Sequence, residues 1–384
     1  LYFTMNILVL SDGVTPFVKG GMQRHTQLMV EYLARSGEKV HLLHYYESNN
    51  PKPKKEEVFS PEALENISTE SFCYEDKSRI PGHYLRAQLK MSELYLDWIL
   101  KTDQRFDFIY AKGFMAWALL KKRTHHGIQT PVGVKFHGMN MFQKQANFKL
   151  TLQQYMLKSV VLRNLRLADY VFSYGGKITD ILQRICITPI IEISTGIEAN
   201  WIYSGSQQAG KVLQFLFVGR FDRVKGLPEL YKAIRLLEKD DYEWHFHFVG
   251  PIPSQHQFKS TKCTFHGAIY DKEKLKEVYD DCDILVNTSI SEGMPNVILE
   301  GMSRGLGVIA TDVGATSVLV KNRLNGLLLQ KPDPNVIYRA LVESLESYGM
   351  VNTWKSNSLG LIRSYTWDQI APNLTRKIEE CIVK

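Results

Sequence analysis

No stretch of the 384 residues has the length and apolarity of a membrane span. The longest apolar run, Phe114–Leu120, is 7 residues, where a spanning helix needs about 20. No basic-then-apolar signal segment opens the sequence. Leu1–Thr4 reads as the remnant of a cleaved tag, with the natural start expected at Met5. Cysteine is scarce and odd in number: Cys73, Cys186, Cys263, Cys282 and Cys381 form no C-x-x-C pair. A disulfide framework and a zinc site are therefore not expected, and a reducing cytosol fits best. No repeat of 20–50 residues is present, which excludes a solenoid.

The remaining composition is that of a globular protein. Hydrophobic residues make up 44% and charged residues 23%, which excludes wholesale disorder, collagen and coiled coil. The length suits two or three domains. Charge is unevenly placed. Residues 1–190 carry 25 Lys/Arg against 17 Asp/Glu, a net +8, while residues 191–384 carry 22 against 23, a net −1. Halves so different are expected to meet different partners.

Both halves alternate β-rich runs with amphipathic helical stretches, as βαβ units around parallel sheets do. In the first half the strands are Asn6–Ser11, Lys39–Tyr46, Phe106–Ala111, Val132–His137 and Tyr170–Tyr174. Helices are expected near Met22–Ser36 and Ala146–Leu167, and Ser48–Glu57 reads as an exposed loop. The segment Ile190–Gly205 reads as the connection between halves. The second half restarts with strands Val212–Gly219, Trp244–Gly250, Cys263–Gly267, Ile284–Thr288 and Gly307–Thr311. The expected domains are 5–190 and 191–367, with a final helix near 368–384 that packs back on the first. Doubly wound sheets bind ligands at the carboxyl ends of their strands, so two facing sheets put a ligand in the cleft between them.

Three loops stand at those carboxyl ends. Lys19-Gly20-Gly21 opens a helix, where glycine lets backbone amides approach a phosphate, although plain turn chemistry explains the pair equally well. It lacks the G-x-G-x-x-G spacing of a dinucleotide fold. Arg220 and Lys225, in Gly219–Gly226, are two cations able to neutralise a diphosphate. Glu292-Gly293-Met294-Pro295-Asn296-Val297 leads into a helix carrying Glu300. Unpaired amides at that helix start suit an anion, and two carboxylates at this spacing suit a nucleotide sugar, one for each sugar ring. Asp281-Cys282-Asp283 matches a D-x-D metal motif but precedes a strand, away from the ligand edge. No metal and no cofactor are expected.

These motifs resemble those of the retaining nucleotide-sugar glycosyltransferases of family 4, which have the GT-B fold of two Rossmann-like domains facing across a cleft. The resemblance runs from Gly20-Gly21 to Tyr365-Thr366-Trp367-Asp368, and the Glu292–Glu300 run is its most specific part. It implies that Gly21, with Gly20 beside it in the donor site, presents its amide to the donor diphosphate and that Arg220 and Lys225 clamp it as it leaves. It implies too that Glu292 contacts the transferred sugar, Glu300 the ribose, and His137 the sugar from the opposite wall. The resemblance also puts Gly267, Gly293, Met294, Pro295, Asn296 and Val297 in the donor site. The chain departs from the family pattern at Thr195-Gly196-Ile197-Glu198, at Gly314-Ala315-Thr316-Ser317 and at Gly301.

The implied reaction moves a hexosyl group, with retention, from a nucleoside diphosphate sugar to an acceptor hydroxyl in cell-surface polysaccharide or glycolipid synthesis. The likeness of Glu292–Asn296 to members using UDP-sugars favours that donor. The acceptor is expected to be a sugar or a lipid-linked sugar, met by the basic first half. Its Lys52, Lys54, Lys55, Lys121, Lys122, Arg123, Lys158, Arg163 and Arg166 suit anionic lipid headgroups, placing the protein in the cytoplasm or on the membrane's inner face. Nucleic acid is not expected, since no stacking or groove-reading motif is visible. The alternatives are a nucleotide-sugar epimerase of similar fold and a catalytically silent sugar-nucleotide-binding protein. The joint presence of His137, Arg220, Lys225, Glu292 and Glu300 opposes the silent reading.

Overall fold

The structure is a computed structural model and describes residues 4–18, 20–74, 83–143, 148–205 and 208–382. Two wholly parallel sheets organise it. The first contains β1 (Asn6–Leu10), β2 (Lys39–Glu47), β3 (Ile67–Tyr74), β4 (Phe108–Lys112), β5 (Val132–Lys135), β6 (Tyr170–Ser173) and β7 (Ile190–Glu192), in the order β3-β2-β1-β4-β5-β6-β7. The second contains β8 (Leu213–Val218), β9 (Trp244–Val249), β10 (Cys263–Gly267), β11 (Ile284–Asn287), β12 (Gly307–Thr311) and β13 (Gly326–Leu329), in the order β10-β9-β8-β11-β12-β13.

The strand order reverses between β1 and β4 in one sheet and between β8 and β11 in the other. Chains leave these neighbouring strands in opposite directions, which opens a crevice at their carboxyl ends. Gly20-Gly21 follows β1, Arg220 and Lys225 follow β8, and Glu292 follows β11. The candidate loops thus flank the two crevices.

The central strands are apolar because helices cover both of their faces. Ile7, Val9, Met29 and Leu33 form the core on one face of the first sheet, and Leu8, Leu10, Tyr95 and Val134 that on the other. In the second sheet Phe215, Phe246, Ile234 and Trp354 fill one face, and Leu216, Leu285, Ile298 and Met302 the other. The last helix, Trp367–Ile382, buries Trp367, Ile370, Ala371, Leu374, Ile378 and Cys381. That is a helical stripe, and it joins the core of the first lobe rather than the second.

Three expectations about elements need correction. The segment from Ile190 is not all linker, because Ile190–Glu192 pairs with β6 as an edge strand. Three residues are too few to show a strand period. Strands β3 and β13 went unread: β3 (ISTESFCY) is a polar, half-exposed edge, and β13 (GLLL) is 4 residues long. Within the loop Ser48–Glu57, Lys55–Glu57 forms a 3-10 turn. The helix expected from Ala146 spans Phe148–Leu167; Ala146, Lys19 and Val383 lie outside the described residues.

Candidate active site

Two adjoining cavities lie between the lobes, sharing His25 and Asn296. One, of about 430 Å³, is lined by Gly21, His137, Arg220, Lys225, Glu292, Gly293 and Met294, among others. The other, of about 590 Å³, is lined by Glu300, Arg24, Glu198, Tyr270 and Trp367, among others. The structure therefore gathers most of the predicted residues from three distant loops. Gly20, Gly267, Pro295 and Val297 line neither cavity. Pro295 and Val297 act as the helix cap and its first turn, and Gly267 closes β10 in a left-handed conformation, φ +71°.

Backbone geometry brings the second-lobe loops together. The Asp222 side chain accepts from Val224 N at 3.0 Å, which turns Arg223–Lys225 into a 3-10 segment. Gly226 then adopts φ +67°, and a Cβ there would stand 1.9 Å from Thr288 O. Only glycine has neither the strain nor the clash, so this residue lets the loop carrying Lys225 lie against the end of β11. Gly314 serves the Glu292 loop in the same way: its φ is +58° and a Cβ would lie 2.3 Å from Glu292 O. The family departure at Gly314–Ser317 thus keeps the residue that shapes the loop.

Two helix N-termini converge on the smaller cavity, one from each lobe. They begin the helices Gly21–Arg35 and Asn296–Ser303, and neither has an acidic residue in its first turn. Their partial positive charges and free amides are thus left for a ligand anion. Arg220 is exposed and makes no ion pair among the described residues. Lys225 Nζ lies 2.6 Å from Glu292 Oε1, which also accepts from Ser289 Oγ at 2.7 Å. Lys225 and Glu292, assigned to separate parts of a donor, are thus held as one pair. Glu300 Oε2 accepts from Tyr279 OH at 2.8 Å, and burial raises the carboxyl above its usual range.

The first-lobe wall of the smaller cavity is mainly aromatic, with His25, His137 and Tyr174 in it. His137 Nδ1 lies 2.7 Å from Tyr174 OH, and its Nε2 is buried with no partner among the described residues. Burial, helped by the Lys112 and Lys135 cations, keeps this imidazole well below its usual pKa. Both lysines are buried at the ends of strands β4 and β5. Lys135 Nζ stands 3.6 Å over the Tyr174 ring. Gln143 bridges the lobes, donating to Glu292 O at 3.1 Å and accepting from Ser291 Oγ at 2.9 Å.

Sequence reasoning missed His25, Lys112, Lys135, Gln143 and Tyr174. A legible signal existed for three of them. Lys112 and Lys135 are lone charges closing the apolar strands FIYAK and VGVK, where an unexplained buried cation points to function. His25 falls one helical turn after Gly21, on the same helix face. The D-x-D segment lies where expected, off the ligand edge. Asp283 there bonds the buried Lys355 at 2.8 Å and Gln214 N at 3.0 Å. No cluster of three or more metal-ligating side chains occurs among the described residues.

Residues 19–201 match the family described as Glycosyltransferase Family 4, and residues 213–347 match Glycosyl transferases group 1. The chain belongs to this glycosyltransferase family. A relative described as an uncharacterized glycosyltransferase of Methanocaldococcus jannaschii is 26% identical over 58% of this chain and 66% of its own length. A putative teichuronic acid biosynthesis glycosyltransferase of Bacillus subtilis, TuaC, is 31% identical over 36% of the chain and 34% of its own length. The chain thus spans about two thirds of the first of these relatives and about a third of the second. Among solved structures, a sucrose-phosphate synthase of Thermosynechococcus elongatus superposes with a TM-score of 0.80, at 19% identity, covering 99% of both chains. The lipopolysaccharide outer core galactosyltransferase WaaB gives 0.72 at 18% identity, covering 98% of this chain and 99% of its own. The fold is GT-B.

Proposed function

We propose that this family member transfers a hexosyl group from a nucleoside diphosphate sugar, with UDP as the favoured nucleotide, to an acceptor hydroxyl with retention of configuration. One observation carries the reading: two helix N-termini, Arg220 and Lys225 line one cavity together with Glu292, and that cavity adjoins, through His25 and Asn296, a second one that holds Glu300. A pyrophosphate at the junction would leave its ribose beside Glu300 and its sugar beside Glu292 and His137. Two neighbours support the choice of nucleotide. An Anabaena protein of similar fold, HepE, has a crystal structure in complex with UDP. An Escherichia coli relative, 40% identical over 18% of this chain, is described as a UDP-Gal galactosyltransferase acting on a sugar-diphosphoundecaprenol.

In this reaction the bond from the anomeric carbon to the β-phosphate oxygen breaks as the acceptor oxygen approaches from the same face. The departing phosphate oxygen takes the acceptor's proton. Negative charge grows on the diphosphate, so donors already oriented there lower the barrier. Lys225 also holds the Glu292 carboxylate in place as that charge develops.

The acceptor is a sugar or lipid-linked sugar in cell-surface polymer or glycolipid synthesis, met by the first lobe. Part of that lobe's basic surface is already engaged. Lys55 donates to Leu64 O and Ile67 O, Lys122 pairs with Glu93, and Arg123 grips Asp169 with two bonds. Lys54, Lys121, Arg163 and Arg166 remain for anionic headgroups. No described helix is long and apolar enough to cross a membrane. Thermal-shift titration with UDP, GDP and ADP, followed by turnover with UDP-sugars and a lipid-linked acceptor, tests the assignment. Stabilisation by none of the three nucleotides would refute it. Consumption of the sugar nucleotide without acceptor would favour an epimerase instead.

A further inference from the structure

The residue shared by the two cavities on the first-lobe side is His25, which has been given no role so far. Its ring is buried and packs edge-on against His137, Tyr174 and Trp367, at centroid distances of 5.4, 5.9 and 5.3 Å. Its two nitrogens differ. Nδ1 lies 3.3 Å from Lys112 Nζ, whereas Nε2 is buried with no hydrogen-bond partner among the described residues. A buried imidazole nitrogen without a partner is costly and calls for an explanation.

The Lys112 side chain indicates which nitrogen carries the proton. Burial lowers this lysine to about 7, with the Asp12 carboxylate opposing the fall, and in its ammonium form it has three N–H donors and no acceptor. Three acceptors surround this one: Met22 O at 2.8 Å, Thr26 Oγ1 at 2.6 Å and His25 Nδ1 at 3.3 Å. Nδ1 of His25 therefore accepts, and the ring proton resides on Nε2. His137 Nδ1 shares a hydrogen bond with Tyr174 OH at 2.7 Å, and its Nε2 is likewise buried with no partner among the described residues. The wall thus places the His25 N–H beside a second unpartnered ring nitrogen, His137 Nε2, on a ring in contact with it.

Burial first, and then the cations Lys112 and Lys135 and the His137 ring, hold His25 well below the usual imidazole pKa. It stays neutral at working pH, so it offers a hydrogen bond without a titrating charge.

We propose that His25 binds the donor's β-phosphate through Nε2–H, with Lys112 as the positioning residue that fixes its tautomer. His25 borders both cavities and so stands at their junction. Its neighbour His137 is the residue assigned to the transferred sugar, and the phosphate adjoining that sugar is the β-phosphate. The inference rests on the nucleotide-sugar reading above and adds a first-lobe contact to the diphosphate, opposite Arg220 and Lys225. Closure of the lobes on a donor would be sensed through this bond.

The test uses the full chain and calorimetric titration with UDP and UMP (or the matching pair for GDP or ADP, if thermal shift selects one of those). His25→Phe keeps the ring's shape and removes the donor. It is expected to weaken UDP about tenfold, the usual scale for a hydrogen bond to a charged group, while UMP changes by less than about twofold. His25→Gln places an N–H near the Nε2 position and is expected to restore UDP binding to within about threefold. A folded His25→Phe protein that binds UDP as wild type does, or loses UDP and UMP equally, overturns the proposal. If that variant does not fold, ¹⁵N spectra of the wild-type imidazoles decide: the Nε2–H tautomer is expected for His25, and Nδ1–H overturns the assignment. A wild type that binds no nucleoside diphosphate overturns the functional reading and this proposal together. Undiminished UDP binding in the folded Phe variant overturns this proposal alone.

Discussion

The two walls of the cleft handle charge in opposite ways. The second lobe exposes its cations: Arg220 reaches solvent, and Lys225 is paired with Glu292 at the cavity surface. The first lobe buries Lys112 and Lys135 beside aromatic rings, and it pairs Arg24, at the larger cavity, with Glu198 at 2.7 Å. An exposed cation can follow a leaving group but is weakened by solvent and salt, whereas a buried one acts at short range through the groups it orients. The difference suggests that the second lobe supplies the charge for the chemistry and the first lobe supplies the geometry.

Removing charge from the second wall should have the largest effect. Arg220→Ala and Lys225→Ala are each expected to lower turnover by about 10²–10³-fold while the melting temperature is kept; near-normal turnover in steady-state assays would break the contrast. Removing charge from the first wall should mainly cost stability. Lys112→Met removes the only partner of His25 Nδ1 among the described residues and one of the partners of Met22 O and Thr26 Oγ1, and the loss should be about 2 kcal/mol in denaturant unfolding. An unchanged unfolding midpoint would show that Lys112 is not the strut described here.

Glu300→Gln sharpens the comparison within the second lobe. It keeps the Tyr279 contact and removes charge, so donor affinity is expected to fall by about tenfold with kcat nearly unchanged, measured by varying donor concentration. A fall in kcat alone would assign Glu300 to the chemical step.

Acid should also act more strongly on the first lobe. Burial holds His41 and His44 at about 4. The unfolded chain takes up these protons near pH 6.5, earlier than the folded chain does. Stability is therefore full above pH 6.5 and falls as pH drops toward 4, by up to about 3 kcal/mol for His44. His247, on the second sheet, is also held at about 4 but is less buried. Replacing His44 with Gln should flatten the pH dependence of unfolding between 4 and 6.5. The smallest effect is at the surface: Lys121→Glu with Arg163→Glu should weaken binding to anionic vesicles by about 1 kcal/mol per cation removed, and equal binding to neutral vesicles would refute a membrane role.

Much of this contrast was legible in the sequence on one side only. Arg220, Lys225, Glu292 and Glu300 stand in loops next to recognisable strands and helices, so local order was enough to place them at a sheet edge. The first-lobe wall depends on distant strands meeting. Lys112 and His25 are 87 residues apart and touch only because β1 and β4 are neighbours. The edge strands β3, β7 and β13 were harder to read, being polar or very short, since an edge strand is covered less and shows less pattern. The final helix was read correctly as a helix; its place in the first lobe follows from the stripe Trp367–Leu374–Ile378 finding its apolar partners there.

The most direct test is a crystal structure with the best-binding nucleoside diphosphate in the cleft. The β-phosphate is expected within hydrogen-bond distance of Arg220, Lys225 and the amide of Gly21, with the ribose on Glu300. A nucleotide bound elsewhere, for instance in the separate cavity of about 740 Å³ beside Lys177 and Asp312, with these four residues untouched, would contradict the assignment of the site.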